Sequence, residues 1–411
     1  MLERVRKQCT SGRAEWQDCT DPETTVAVDR YTSPAVCEQE IAQLFRKLPL
    51  IALHSSELQA GQVLAHDGYG VPMLLSRDKD GVVHAHLNVC RHRGTRLVES
   101  KLAIAKSSIV CPYHGWTYQL DGKLRHRLHA ESFDKKECAD EDLVALPCEE
   151  RHGLIWVQVN ADKASQPMNL DSYLGELNNE MPFYEIENLT HFRTIEAEYP
   201  ANWKLIVDAF LESYHIRVLH KNTIAPFFTD GITAGGQFGA DATYGGDASV
   251  SGKPHIHSLV ARRAAQEWSE QEDSRAPQNI RELSELVTPS QVIFPNTITI
   301  FHPDYLSLIT LYPTSSGTLR WTHKMLIPKN QASADWTAHW EKTFNLIERG
   351  VFQKEDIHTA INIQNGFASG ANTGLRLGRI EQAVAWFHAS VARHTDCHTA
   401  SAVSDSASTC R

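Results

Sequence analysis

The sequence predicts an α+β protein of two domains, an all-β domain near the N-terminus followed by a larger α+β domain. Three observations carry that reading. The 411 residues are too many for one ordinary core. Between about 48 and 160, the short apolar or alternating runs PLIALH, GVVHAHLNV, SSIVC and GLIWVQVN are separated by the turn signals DGYG, DKDG and LDGK. Beyond about 165, helical and strand-like patterns are mixed.

Along the chain, residues 1–34 are polar, and 35–47 (AVCEQEIAQLFRK) have the apolar spacing of a short amphipathic helix. Residues 1–47 therefore read as an N-terminal segment and 48–160 as the β domain, with GLIWVQV as its closing strand. The polar linker ADKASQPMN follows. Within the second domain, 165–393, TIEAEY reads as a strand and WKLIVDAFLESY (203–214) as a helix with Asn202 near its start. The Gly-, Ala- and Asp-rich stretch 230–252 reads as a long loop. Strands return at QVIFPNTITIFH, YLSLITLYP and TLRWTHKMLIP, a helical region covers roughly 335–393, and 394–411 has the composition of a disordered tail.

Charge excludes some functions. Lys and Arg total 40 against 50 Asp and Glu, a formal charge of −10, so nothing draws the chain to nucleic acid or an anionic membrane. No apolar run has the length of a membrane span, and MLERVRKQCTSGRAEWQDCT lacks a signal-peptide core, so a cytoplasmic protein is expected. In that reducing setting the nine scattered cysteines are mostly free thiols. Cys90 and Cys111 stand in a different context.

NVCRHRGTRLV places Cys90 two residues before His92, and VCPYHGWTYQLDGKL places Cys111 three before His114. Each pair falls in a tight loop between strand-like runs, so two loops can grip one centre from opposite sides. Two thiolates and two imidazoles suit a tetrahedral zinc, or a Rieske [2Fe–2S] cluster in which two Cys hold one iron and two His the other. Gly94 and Gly115 allow close backbone approach, Pro112 stiffens the second loop, and Trp116 is placed to shield the centre. A zinc finger more often pairs Cys with Cys and His with His along the chain, which favours the cluster.

CRHRG followed by CPYHGWTY resembles the Rieske signature of the aromatic-ring-hydroxylating oxygenase α subunits. The resemblance continues through NWK…YH…H and is weakest in 221–285 and at both ends. It implies a Rieske [2Fe–2S] domain followed by a helix-grip-like α+β catalytic domain with a mononuclear Fe(II).

Residues 202–220, NWKLIVDAFLESYHIRVLH, contain Glu212, His215 and His220 as E-x-x-H-x-x-x-x-H. Glu212 and His215 are three apart and share a helix face, whereas His220 lies five beyond His215, so the helix must end or distort if both imidazoles bind one metal. Two His and a carboxylate occupy one face of an octahedral iron and leave the other open. The resemblance implies His215 and His220 as iron ligands. It places the third in the segment VFQKEDIHTAINIQNGF, where Asp356 is assigned and Glu355 is the immediate competitor. Many members carry Asp where this chain has Glu212, a residue that bridges the cluster histidine of one subunit to an iron-ligating histidine of its neighbour. Glu occurs there in some relatives acting on quaternary amines such as carnitine, which points toward non-aromatic substrates. Asp208 reads either as a partner behind the ligands or as a solvated helix charge.

The family arrangement implies a head-to-tail homotrimer, in which His114 of one subunit approaches Glu212 and His215 of the next. It also implies a separate NAD(P)H-dependent reductase, with or without a ferredoxin, and O2 with a small organic substrate. Mono-oxygenation, dioxygenation and oxidative demethylation all stay open, as do the presence of a β subunit and a place in aromatic hydrocarbon catabolism. The rival readings are a Rieske-type electron carrier without oxygenase activity, for which Glu212, His215, His220 and Asp356 have no use, and a zinc-stabilised binding protein.

Overall fold

The computed structural model describes residues 2–20, 23–133, 141–163, 168–238, 255–262 and 287–406. The chain divides into two compact units, Phe45–Leu170 and a second assembled from Met1–Leu44 together with Asp171–Arg411. The N-terminal segment thus belongs to the larger unit. Among the described residues no helix is long and apolar enough to cross a membrane.

The smaller unit is all β. A five-stranded antiparallel sheet runs in the order Ala145–Leu146, Val83–Leu87, Met73–Arg77, Gln62–His66, Ile104–Ala105. A three-stranded sheet joins Cys148–Arg151, Leu154–Val157 and Leu50–His54, and a second joins Ile109–Val110, Thr117–Tyr118 and Leu124–His126. Val63, Ala65, Leu74 and Ile109 form a core that includes Cys90, Cys111, Trp116 and Tyr118, so both cysteine loops are seated on it.

In the larger unit a seven-stranded antiparallel sheet runs in the order Leu189–Tyr199, Thr318–Pro328, Leu306–Ser315, Thr297–Phe301, Val287–Ile293, His255–Arg262, Phe228–Phe238. The stretch read as a loop from 230 is thus a strand up to residue 238, because backbone pairing with His255–Arg262 supplies its hydrogen bonds despite the glycines. Residues 239–254 lie outside the described residues. The C-terminal region is helical at Ala334–Asn345, π-helical at Leu346–Ile357 and helical again at His358–Phe367 and Gln382–Ser406. The last helix continues past 393 into the stretch read as a tail. Between the helices, the strand Gly374–Leu377 pairs with Thr24–Ala27, a long-range contact that no local pattern announces.

The motif Asn202-Trp203-Lys204 fastens the helix Trp203–Phe210 to this frame. The Asn202 side chain accepts the Lys204 N–H as an N-cap (3.0 Å) and donates to the carbonyls of Tyr31 and Ser316 (2.8 Å each). Glu40, from the helix Pro34–Glu40, accepts from the Trp203 indole (2.9 Å) and pairs with Lys204 Nζ (2.6 Å). Glu40 and Lys204 are 0% and 1% exposed, so each charge depends on the other.

Lys204→Met strands the Glu40 carboxylate in the core. The expected loss is about 3–5 kcal/mol of stability, read as a lowered thermal midpoint, and replacing Glu40 with Leu as well should recover much of it. An unchanged midpoint in the single variant would contradict the latch.

Candidate metal centres

In the larger unit the helix that starts at Trp203 stops at Phe210, four residues short of the sequence reading. The cause is Glu212. Its Oε2 accepts the backbone N–H groups of Tyr214 and His215, donors that a continuing helix would direct to its own carbonyls. A one-turn helix, Ile216–Leu219, follows, with His215 at its N-cap position and His220 at its C-cap. Glu212 and His215 therefore meet across a turn and not along a helix face. The distortion needed to bring both imidazoles together is this break.

Each imidazole is held from behind by a carboxylate. Glu212 Oε1 accepts from His215 Nδ1, and Glu355 Oε2 accepts from His220 Nδ1 at 2.7 Å while also accepting the Thr223 hydroxyl at 2.7 Å. A carboxylate acceptor fixes the proton on Nδ1, which leaves both Nε2 atoms with bare lone pairs. These Nε2 atoms face each other at 3.2 Å. Asp356 Oδ1 lies 3.1 Å from His220 Nε2 and 3.6 Å from His215 Nε2. That oxygen is buried, and among the described residues no donor hydrogen-bonds to it. The structure thus separates the adjacent carboxylates, with Asp356 converging on the imidazoles and Glu355 standing behind His220.

Three lone-pair atoms meeting without a proton repel one another unless a cation lies between them. Ligands at right angles and about 2.1 Å from a divalent ion are roughly 3 Å apart, close to the observed spacings. His215, His220 and Asp356 are also the only group of three or more His, Cys, Asp or Glu among the described residues whose donor atoms all lie within 4.8 Å of one another. The residues fit a single facially bound metal. In its absence burial alone would lower the His220 pKa, but the Asp356 and Glu355 carboxylates outweigh burial and raise it.

The smaller unit holds the Cys-His loops as near mirror images. Cys90 N–H donates to the Thr95 carbonyl (2.8 Å) and its carbonyl accepts from Gly94 (2.9 Å); Cys111 N–H donates to Trp116 (2.8 Å) and its carbonyl accepts from Gly115 (3.1 Å). Gly94 and Gly115 have φ of 79° and 71°, the left-handed region that favours glycine. His92 Nδ1 and His114 Nδ1 are 3.1 Å apart, and the His92 ring stacks on Trp116 with centroids 5.0 Å apart. Trp116 is itself buried, 4% exposed. Burial, then the charges of His114 and Arg93, lower the His92 pKa. Cys90 and Cys111 are both buried, and neither is in a disulfide.

Four donors around one zinc would lie within about 4 Å of one another. The Cys and His donors here do not meet at one point in that way, so they fit a centre wider than a single ion. Two further residues were not found by sequence reasoning. The Asn88 side chain accepts from the Leu97 and Val98 N–H groups (3.1 and 3.0 Å) and donates to the Val98 carbonyl (2.6 Å), bracing the first loop. The Tyr118 hydroxyl, 3.4 Å from Cys90 Sγ, accepts the Arg91 N–H at 3.1 Å. Tyr118 lies inside the CPYHGWTY motif, but nothing in its spacing announces the role.

Comparison with known proteins agrees with both centres. The family model described as ring hydroxylating alpha subunit (catalytic domain) matches residues 186–396, and that of the Rieske [2Fe-2S] domain matches 49–139. The chain is 28% identical over 399 residues to a carnitine monooxygenase oxygenase subunit of Acinetobacter pittii, covering 92% of this chain and 96% of that protein. A glycine betaine monooxygenase oxygenase subunit of Pseudomonas aeruginosa is 35% identical over 46% of this chain and 43% of its own length. The anthranilate 1,2-dioxygenase large subunit of Acinetobacter baylyi is 28% identical over 52% and 48%. Among solved structures, a quaternary ammonium Rieske monooxygenase in complex with L-carnitine superposes with a TM-score of 0.70 at 22% identity, covering 90% of this chain and 95% of that one. Naphthalene 1,2-dioxygenase from Rhodococcus sp. gives 0.70 at 19%, covering 95% and 98%.

Freed of mononuclear iron, the protein is expected to bind one Co(II) per chain at His215, His220 and Asp356. Calorimetry should show Asp356→Ala abolishing this binding and Glu355→Ala weakening it about 10- to 100-fold. The reverse order would exchange the roles of the two carboxylates.

Proposed function

This chain belongs to the ring-hydroxylating α-subunit family, and we propose that within it the protein oxidises a small quaternary ammonium compound. It is the terminal oxygenase component of its system, using O2 and electrons from a separate reductase, and it carries a Rieske [2Fe–2S] cluster and a mononuclear iron. The observation that carries the substrate reading is the cavity beside His215 and Asp356. It measures about 430 Å³, and Asp208, Glu212 and Glu381 line it together with aliphatic side chains that include Leu205, Ile363 and Val384. Arg376 also lines it, but its guanidinium pairs with Glu23 at 2.8 Å. A wall of carboxylate and aliphatic groups suits a cation clothed in methyl groups. Similarity to the carnitine monooxygenase subunit along nearly the whole chain supports the same reading.

In this reading Cys90, His92, Cys111 and His114 hold the cluster, and His215, His220 and Asp356 hold the iron. When bound, the cluster supplies single electrons and the iron supplies O2 activation. The protein's part is positioning. Glu212 and Glu355 fix both imidazoles with Nε2 forward, and Thr223 steadies Glu355. With His215, His220 and Asp356 converging from the protein, the iron they would hold would keep room for O2 and substrate. Glu212 also serves as the polar bridge to His114 of a neighbouring subunit in a head-to-tail homotrimer. Exposed apolar side chains beside each centre support such an interface. Val110 and Tyr113, near His114, are 52% and 55% exposed, and Tyr214 and Val218, near Glu212, are 68% and 73%. The structure of a quaternary ammonium Rieske monooxygenase of similar fold gives insights into inter-subunit electron transfer in that protein.

The test is O2 uptake with a surrogate reductase across a substrate panel. Carnitine, γ-butyrobetaine and glycine betaine should stimulate uptake with matching product, and anthranilate and naphthalene should not. Turnover of the aromatic compounds alone would overturn the substrate reading and place the protein in aromatic catabolism.

A further inference from the structure

Behind the mononuclear site lies a polar chain that the reaction itself does not use. His323, on the strand Thr318–Pro328, donates from Nδ1 to Glu348 Oε2 at 2.7 Å, and its Nε2 accepts from the Ser307 hydroxyl at 3.1 Å. The other oxygen, Glu348 Oε1, accepts from Gln353 at 2.8 Å. His323, Glu348 and Ser307 are each 0% exposed. The imidazole is packed as well as bonded, stacked on Phe344 (5.3 Å between centroids, 11° between planes) with Phe352 edge-on at 5.2 Å. A carboxylate this deep is costly unless every partner is in place, and an apolar pair would fill the space more cheaply. The arrangement gives a fixed position along the helix, which apolar packing does not.

Position along the helix matters here because Glu348 lies in the first turn of the π-helical segment Leu346–Ile357, and Glu355 and Asp356 lie in its last turn. A π-helix turns once in roughly 4.4 residues, against 3.6 in an α-helix. Over the eight residues from Glu348 to Asp356, relaxation to α geometry would swing Asp356 by about 150° around the axis. The wider winding is uncommon and must be held from outside. Glu355 on His220 holds its end, and Glu348 on His323 holds its start.

We propose that His323 and Glu348 are positioning residues for the mononuclear iron, a buried clamp that keeps the π-helical segment in the register that delivers Asp356. The proposal rests on the reading of His215, His220 and Asp356 as the metal-holding set.

The experiment uses the whole chain with its cluster oxidised and therefore EPR-silent, its mononuclear iron removed, and Co(II) as the probe. Binding is measured by calorimetry and site geometry by the Co(II) EPR signal. His323→Leu removes the donor and is expected to weaken Co(II) about 10- to 100-fold and alter the signal. His323→Asn places an amide N–H where Nδ1 was, and should restore both affinity and signal toward wild type. Should the Leu variant fail to fold, Glu348→Gln keeps the volume and the contact with Gln353 while removing the charge, and weaker binding with an altered signal is expected. Wild-type affinity and signal in the Leu or Gln variant would overturn the clamp. So would equal losses in Leu and Asn that merely follow their melting temperatures. Wild-type binding in Asp356→Ala would instead overturn the metal-site reading, and the clamp with it.

Discussion

Two imidazole nitrogens and a carboxylate oxygen, brought within 3.1–3.6 Å of one another, are the constraint around which the larger unit is built. Without a cation that arrangement is repulsive, so the fold has to hold it by force of position. Glu212 and Glu355 turn the rings by holding each Nδ1 proton. The Asn202–Lys204 latch fixes where the helix starts, and the Glu212 side chain fixes where it breaks. The π-helical segment brings the third donor from more than a hundred residues away. Each of these supports is a hydrogen bond or ion pair to a buried or half-buried group, which is how a site is kept within the narrow tolerance that metal geometry demands.

The smaller unit meets a related demand by simpler means. Two hairpin loops with the same backbone bonding pattern each present one thiol and one imidazole, so near symmetry does the work that distant buttresses do at the iron. The sulfurs lie inside the core and the histidines toward solvent. Electrons entering or leaving the cluster would therefore pass most directly through the histidine side, and in the proposed trimer that side faces Glu212 of a neighbour.

Much of this was legible in the sequence because the residues proposed to hold the cluster sit in two short motifs whose spacing is itself the geometry. Cys90, His92, Cys111 and His114 need only two tight turns to meet, and the glycines that permit those turns are adjacent. His215 and His220 were legible as a pair for the same reason, and their spacing of five already required a broken helix. Asp356 was not separable from Glu355 by pattern, since neighbouring residues on a helix differ only in direction and that direction is set by winding and by tertiary partners. The π-helical winding has no sequence periodicity to betray it. The strand Phe228–Phe238 and the pairing of Thr24–Ala27 with Gly374–Leu377 escaped because backbone pairing, not side-chain alternation, makes them. Glu40, Tyr118 and Asn88 escaped because their roles are tertiary contacts.

In the proposed trimer the two centres work as one through Glu212. The most direct test is single turnover of pre-reduced protein with substrate and O2, comparing wild type with Glu212→Ala while iron and sulfide are counted in both. If Glu212 carries the coupling, the Ala variant keeps its metal content and a cluster that still reduces, while the rate of cluster oxidation collapses together with product formation. Cluster oxidation at the wild-type rate in the Ala variant would contradict it and leave Glu212 as a helix-breaking carboxylate with no part in electron transfer.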